Sequence, residues 1–392
     1  MPIERVAVSS AFLANGFYVG SWAPQIPLLA DRLDISNAVL GLVVLVFGLG
    51  AVGTMPIVGA LIARLGSRRI MIGTGVLLAI ALPILAWAPT LAWAFPAGLF
   101  AGGMTGSMDV AMNANAVALE RRLPFAIMSS CHGFWSLGGL LGAAVGGIGI
   151  ATLGGEGHAL AVGALILATI VLLVPRALED RRETPKPATD EEPHHETEAA
   201  NAPLSLSRSL LMVVAIGIFA LCAMIPEGAV LDWGAIYLRD DLGAGVAISG
   251  FGFAAFSLTM AAFRFAGDGL RDRFGAVRTT QLSALAAALG LCTAALSGSV
   301  VAACFGFAVM GIGIANMVPI AFSAAGNVPG LRPGIGLSIV STLGYSGILL
   351  APSAIGFMAE RVGFPPIFLT LSILLLAAFA SARLLKIADR PQ

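Results

Sequence analysis

Apolar residues run along this chain in long blocks separated by short polar or charged breaks. They show neither the alternation of a half-buried strand nor the one-sided stripe of a water-facing helix. Twelve blocks approach the roughly 20 residues needed to cross a bilayer core. They lie near 6–30, 38–63, 70–88, 91–119, 126–151, 158–175, 209–237, 247–266, 278–297, 300–325, 334–358 and 365–383. Backbone groups in hydrocarbon must pair within their own segment, and no block alternates like a barrel strand, so the blocks are predicted as helices. The expected fold class is an all-α polytopic membrane protein with twelve transmembrane helices. Residues 176–208 interrupt the pattern: they are rich in Pro, Glu and Asp and lack an apolar period. They read as a flexible cytoplasmic linker joining a six-helix half (1–175) to a second (209–392). His194 and His195 lie in that linker among acids, as part of a solvated charge run rather than a metal site.

Composition narrows the class. Of 392 residues 58% are apolar and 11% charged, less than half the charge of an ordinary soluble domain. One aqueous core could not hide that much apolar surface, which excludes a soluble enzyme or a nucleic-acid binder. With 22 basic and 22 acidic residues there is no net charge to recruit a polyanion or polycation. Cys131, Cys222, Cys292 and Cys304 all fall inside apolar blocks and read as small packing residues. Arg5 is the only early basic residue and no cleavage site follows a short apolar core, so the first span is expected to stay in the mature protein. With the N-terminus inside, 19 of the 22 basic residues face the cytoplasm, leaving Arg32, Arg239 and Arg361 outside. That bias predicts a multi-pass protein of the bacterial inner membrane with both termini cytoplasmic.

The two halves echo each other at an offset near 209–211 residues. Trp22-Ala-Pro-Gln-Ile-Pro-Leu closes the first span and Trp233-Gly-Ala-Ile-Tyr-Leu the seventh. Arg64-Leu-Gly-Ser-Arg68-Arg69 follows the second and Asp272-Arg273-Phe-Gly275-Ala-Val-Arg278 the eighth, while Gly138 matches Gly347. Six helices duplicated once is an organisation of secondary transporters, which hold solute between the halves near the midplane.

The loop Gly59-Ala-Leu61-Ile-Ala-Arg64-Leu-Gly66-Ser-Arg68-Arg69 resembles the loop signature of the major facilitator superfamily. Arg264-Phe-Ala-Gly267-Asp268-Gly-Leu270-Arg-Asp272-Arg273-Phe-Gly275 is similar to its second copy. In the first copy Ala63 stands where an acid is usual; the second keeps Asp272, with Asp268 in place of its leading glycine. Ser21-Trp22-Ala-Pro24-Gln-Ile-Pro27, Met108-Asp109 through Glu120, Met128-Ser-Ser-Cys-His132-Gly-Phe-Trp135 and Glu227 through Trp233 resemble a bacterial permease branch near the fucose permeases. The resemblance covers nearly the whole chain and implies the major facilitator fold. It implies a gating role for Arg64, Arg68, Arg69, Asp268, Asp272 and Arg273. Fucose permeases carry an acid in the first span; here that helix offers Asn15, Tyr18 and Gln25, so sugar specificity does not carry over.

Ionisable groups at membrane depth cost roughly 2.5–3.5 kcal/mol each on insertion scales, which makes each a functional candidate. Asp109, Asn113 and Glu120 share one helical face; the first two are read as cavity-lining or as a polar pair gluing neighbouring helices, and Glu120 as a latch for loop arginines. Glu227, between Pro226 and Gly228, is the first candidate for a proton-binding carboxylate, with Asp109 second. A carboxyl desolvated in this way can load and release a proton near neutral pH. Asp232 reaches the same pathway only if the helix unwinds at Pro226. His132 is read either as a proton relay or as a packing residue. Tyr18, Trp22, Trp135 and Trp233 are candidate platforms for the solute, with Gln25 and Asn316 as polar contacts. The sequence places Arg264 near a cytoplasmic end, so no cation stands in the middle of a span and an obligatory anion is disfavoured.

The sequence therefore predicts a secondary transporter, not an enzyme. No phosphate-binding loop, metal-ligand helix or cofactor motif is present. The expected partners are a small neutral polar or cationic solute, protons and the lipid bilayer, with no nucleic acid, and the chain is expected to act as a monomer. Proton-coupled uptake is preferred over multidrug export, and over a non-transporting sensor built on the same fold.

Overall fold

The computed structural model describes residues 2–180 and 205–389. Most of the predicted linker, with His194 and His195, lies outside the described residues. The described chain is helical: α1 (Ile3–Trp22), α2 (Gln25–Leu33), α3 (Asn37–Leu65), α4 (Ser67–Ala86), α5 (Leu91–Glu120) and α6 (Met128–Leu172) precede the linker. After it come α7 (Leu206–Asp240), α8 (Val246–Leu296), α9 (Val300–Ile314), α10 (Met317–Gly326), α11 (Pro333–Val362) and α12 (Phe364–Ser381). Among the described residues eight helices are long and apolar enough to cross a membrane. Neither α1 nor α5 is among them, because Ser, Asn, Gly and Asp dilute their apolar content. These are helices that carry polar groups of the central site.

Local breaks shape six of the expected spans. The fifth and sixth run together as α6, and the chain leaves helical geometry at Gly154, φ 72°. The eighth and ninth run together as α8 and turn at Gly275, φ 78°. The first is interrupted at Ala23–Pro24 and the tenth at Ala315–Asn316, where a proline and a bare carbonyl leave the backbone open.

The internal repeat is visible in the backbone. Left-handed residues pair at an offset of 209: Asp34 with Gly243, Gly66 with Gly275, and Gly154 with Gly363. Each marks a stop at which a helix ends and the next begins, a conformation only glycine reaches without strain in most contexts. The turn caps repeat too. Ser67 N–H donates to Asp180 at 2.8 Å and Ala276 N–H to Asp389 at 2.7 Å.

Small residues set the closest seams. A Cβ on Gly102 of α5 would strike the Phe47 carbonyl of α3, and one on Gly311 of α9 would strike the Phe256 carbonyl of α8. Gly16 and Gly20 of α1 lie against the backbone of Trp135 and Gly139 in α6 in the same way. Without a hydrophobic drive between helices in lipid, such backbone contact is what holds them. Thr54 Oγ1 stitches the first of these seams to Gly103 O at 2.9 Å, and Thr259 Oγ1 the second to Ala308 O at 2.8 Å.

Candidate functional site

The central cluster is assembled from both halves. From the C-terminal half, α7 is unbroken through Pro226 and presents Glu227, while α8 presents Arg264. Arg264 Nη2 donates to Glu227 Oε1 at 3.3 Å. Its Nη1 crosses to Ser136 Oγ of α6 at 2.6 Å, and its Nε points to the Ala315 carbonyl freed at the α9–α10 break, 3.4 Å away. The two side chains are 5% and 13% exposed, so the cation is shielded and its carboxylate keeps one open side.

The N-terminal half supplies a hydrogen-bonded chain. His132 Nε2 meets Asn113 Oδ1 at 3.1 Å, and Asn113 Nδ2 donates to Asp109 Oδ1 at 3.3 Å and to its backbone carbonyl at 2.9 Å. Because the Asn113 amide nitrogen is committed to Asp109, its oxygen is the acceptor and His132 the donor. Phe12 and Phe322 stand edge-on to the imidazole at 5.3 and 5.7 Å. Asp109 is 4% exposed, and the Tyr345 hydroxyl of α11 is its other polar neighbour. Tyr345 of α11 lies within electrostatic reach of Asp109, Glu227 and Arg264, joining the two groups across the interface. The cluster thus holds one buried and one half-buried carboxyl with one buried guanidinium.

Arg264 corrects an expectation. The sequence places it near a span end, whereas its guanidinium sits against Glu227 and Ser136. The eighth span continues past residue 266 to the turn at Gly275, so Arg264 lies well inside it. Arg264, Tyr345 and Ser136 are site residues the sequence reading missed. The signal was a lone Arg within an apolar run, and one of only three tyrosines in the chain.

The other candidates separate by position. Trp135 is half-buried beside Ser136 and donates from Nε1 to Asn15 Oδ1 at 2.9 Å, placing its indole at the cluster's edge. Tyr18 is buried with its hydroxyl unpartnered. Asn316 caps α10, donating to Phe263 O at 3.3 Å. Trp22 stacks on Phe47 at 6.0 Å, and Gln25 Nε2 donates to Gly155 O at 2.7 Å and His158 Nδ1 at 2.8 Å. Both line a separate cavity of about 350 Å³ with Arg32 and Glu156. Trp233 packs on Phe364 and Gly356 within its own half. Asp232 is exposed, one stretch of unbroken helix beyond Glu227.

The gating candidates gather at one face of the molecule, called here the basic face, which carries the Gly66 and Gly275 turns. Glu120 Oε2 accepts from Ile127 N at 2.8 Å and Met128 N at 3.0 Å, and its Oε1 from Arg271 Nη1 at 2.8 Å and from Ser323 Oγ. Asp268 accepts from Ser129 N and Ser130 N at 2.9 and 3.1 Å, and Asp272 from Ala126 N at 2.9 Å. Three carboxylates, two of them from the opposite half, therefore cap the N-terminus of α6, where the free N–H groups and helix dipole favour negative charge. Arg121 reaches Asn327 at 2.7 Å and the Gly326 carbonyl, and Arg332 reaches the Ala63 carbonyl. Glu120 thus pairs with Arg271 of the other half rather than with its neighbours Arg121 and Arg122. Arg68 pairs with Glu179 at 2.6 Å, Arg273 stacks on Phe274, and Arg64 and Arg69 are exposed. Hydrogen bonds described at the opposite face, such as Gln25–His158 and Phe364–Asp241, stay inside one half.

The sequence profile of the Major Facilitator Superfamily matches residues 8–238 and 213–392. An uncharacterized MFS-type transporter of Yersinia pestis is 34% identical over 381 residues, 97% of this chain and 95% of that one. Among solved structures, the human organic anion transporter MFSD10 superposes with a TM-score of 0.73 at 17% identity, covering 97% of this chain and 99% of that one. FucP, the fucose:proton symporter of Escherichia coli, superposes at 0.69 and 17% identity, covering 97% and 98%.

Proposed function

Because the chain belongs to the major facilitator superfamily, and so is a multi-pass membrane transporter and not an enzyme, we propose that it is a proton-coupled secondary transporter of a small polar solute. It works by alternating access from the cytoplasmic membrane of a bacterial cell, with the basic face and both termini cytoplasmic. The observation that supports the proton coupling is the charge count of the central cluster: two carboxyls, Asp109 and Glu227, both within electrostatic reach of Tyr345, are matched by one buried cation, Arg264, which bonds Glu227. A buried charge without a counter-ion is too costly to leave standing. One proton, placed on Asp109, which is buried and bonds no cation, makes the cluster neutral. The half-to-half position of that proton, linked through Tyr345 to Glu227 and Arg264, ties its binding to the approach of the two halves.

The ties at the basic face support a state closed toward the cytoplasm. Rocking the halves about the cluster breaks these ties and opens the site to the other side, as expected for duplicated six-helix transporters. Retaining Asp109 and Glu227 as the carriers of the proton, this reading drops the objection to anions, which rested on Arg264 lying at an end.

Reconstituted protein in vesicles carrying an internal pH dye tests the proposal. Addition of a transported sugar, polyol, amino acid or carboxylate acidifies or alkalinises the lumen, and an imposed pH gradient drives its accumulation. Asp109→Asn abolishes gradient-driven accumulation while leaving solute exchange across the membrane. Accumulation in that variant equal to wild type removes Asp109 from coupling, and uptake indifferent to the gradient in the wild type overturns the proposal.

A further inference from the structure

Resting on the reading of a proton-coupled carrier, we infer that the solute carries a single anionic group, such as a carboxylate on a small polar body, and that this group docks on Arg264 in exchange for Glu227. The geometry of the pair is the basis. Arg264 offers five N–H donors in a planar fork suited to two parallel bonds with a carboxylate. Three are engaged, by Ser136 Oγ, the Ala315 carbonyl and Glu227. Glu227 touches the fork through one oxygen at 3.3 Å, longer than the roughly 2.7–2.9 Å of a firm charge-assisted bond. The guanidinium is anchored by the 2.6 Å bond to neutral Ser136 of α6, while its counter-ion is held by one long leg and is the more exposed partner. An incoming carboxylate meets a cation already oriented, with unspent donors.

Charge balance couples this exchange to a proton. The groups facing Glu227 are Arg264 from α8 and Tyr345 from α11; Tyr345 also senses Asp109 of α5, and His132 of α6 lies within the field of Arg264. With one proton on Asp109 the cluster is neutral. A bound anion adds one negative charge, and displaced Glu227, no longer paired, takes up a proton to restore neutrality. One anion therefore enters with one proton. Its affinity falls by about tenfold per pH unit once the medium is too alkaline to protonate Glu227. Half-buried Tyr345, within electrostatic reach of both Glu227 and Arg264, supplies a hydrogen-bonding wall for the solute body. Docking between Ser136 of one half and Arg264 of the other places the anion on a contact that must change as the halves rock.

Thermal unfolding of the purified full-length protein at mildly acidic pH tests the inference. The probes are lactate, gluconate and glucuronate, with glycerol, sorbitol and glucose as neutral matches and choline and glucosamine as cationic ones. A carboxylate is expected to raise Tm by several degrees where its neutral match does not, and Arg264→Gln to remove the shift. Glu227→Gln gives a reading independent of solute identity. It removes the carboxylate bonded to Arg264 while Asp109 keeps its proton at mildly acidic pH, so acetate raises its Tm saturably but not that of the Glu227→Gln/Arg264→Gln double variant. Stabilisation by neutral or cationic probes alone overturns the inference, and so does a Glu227→Gln protein indifferent to acetate. The outcome is separable from proton coupling: a neutral solute accumulated by a pH gradient sinks this inference and leaves the coupling intact. A carboxylate that binds through Arg264 but ignores the gradient does the reverse.

Discussion

Replacing Glu120 with Gln removes the charge at the centre of the basic-face latch while keeping its size. In the structure the carboxylate serves four donors: two α6 amides, Ser323 Oγ and Arg271 Nη1 at 2.8 Å, with both members of the ion pair 7% exposed. Removing one partner of a buried pair costs about 3–5 kcal/mol, because the other charge is left uncompensated. A glutamine carbonyl still accepts one or two bonds, which sets the expectation near the lower end, about 3 kcal/mol. At about 1.4 kcal/mol per tenfold change, the closed state loses roughly a hundredfold in population relative to open forms. Hydrogen exchange on the segment 126–132 reads this out. Ile127 and Met128 amides lose protection directly; if the latch opens as a unit, Ala126, Ser129 and Ser130, held by Asp272 and Asp268, lose it in parallel. The double variant Glu120→Gln/Arg271→Gln should recover part of the loss, with a coupling of at least about 1 kcal/mol between residues in direct contact. Unchanged protection at Ser129 and Ser130, or strictly additive single effects, would refute a cooperative latch built on this pair.

Three further variants test the packing and the latch. Ala63→Asp places an acid where Asp272 stands in the other copy, beside Arg332 of α11; charge-assisted bonds of about 1.5–3 kcal/mol strengthen the closed basic face, so Tm rises while vesicle turnover falls. Gly102→Val drives a side chain into the Phe47 carbonyl and lowers stability by about 1–3 kcal/mol or more, measured as a fall in Tm. Gly53→Ala, which meets open space, leaves Tm unchanged or raises it.

The apolar blocks, the repeat and the polar pair Asp109–Asn113 were legible because each is local or periodic along the chain. Asp109 and Asn113 are one helical turn apart, and the spacing alone brings them together. The latch acids were legible as a motif, though not their partners: Asp268 and Asp272 bond backbone N–H groups of α6, and a backbone donor has no signature in sequence. Arg264 was misplaced because hydropathy ends the span at 266, before the charged run from Asp268 to Arg273, while the helix itself runs on to Gly275. Tyr345, Ser136 and the open carbonyl of Ala315 are ordinary residues in apolar runs, and they become site residues only through the crossing of α6, α8, α9 and α11. The unwinding at Pro226 on which a pathway role for Asp232 depended is not seen. A single missing hydrogen bond is tolerated inside a packed bundle, and the unbroken helix directs Glu227 inward and leaves Asp232 exposed.

The latch is asymmetric in a way that bears on function. At equivalent places in the two copies, Asp268 and Asp272 cap α6, while Gly59 and Ala63 meet α11 through close packing on Ser338 and Gly334 and a carbonyl bond to Arg332. Carboxylate caps are strong but must be desolvated to form, and water replaces them when the face opens. Glycine packing gains little beyond contact and costs little to slide. The charged side therefore sets how firmly the basic face shuts, and the glycine side provides the seam along which α3 and α11 move. Arg264 sits one step inward from the charged side, on the same helix as Asp268 and bonded across to Ser136 of the helix that Asp268 caps. A change in the counter-ion of Arg264 is thus transmitted along two packed helices to the latch without crossing any flexible loop.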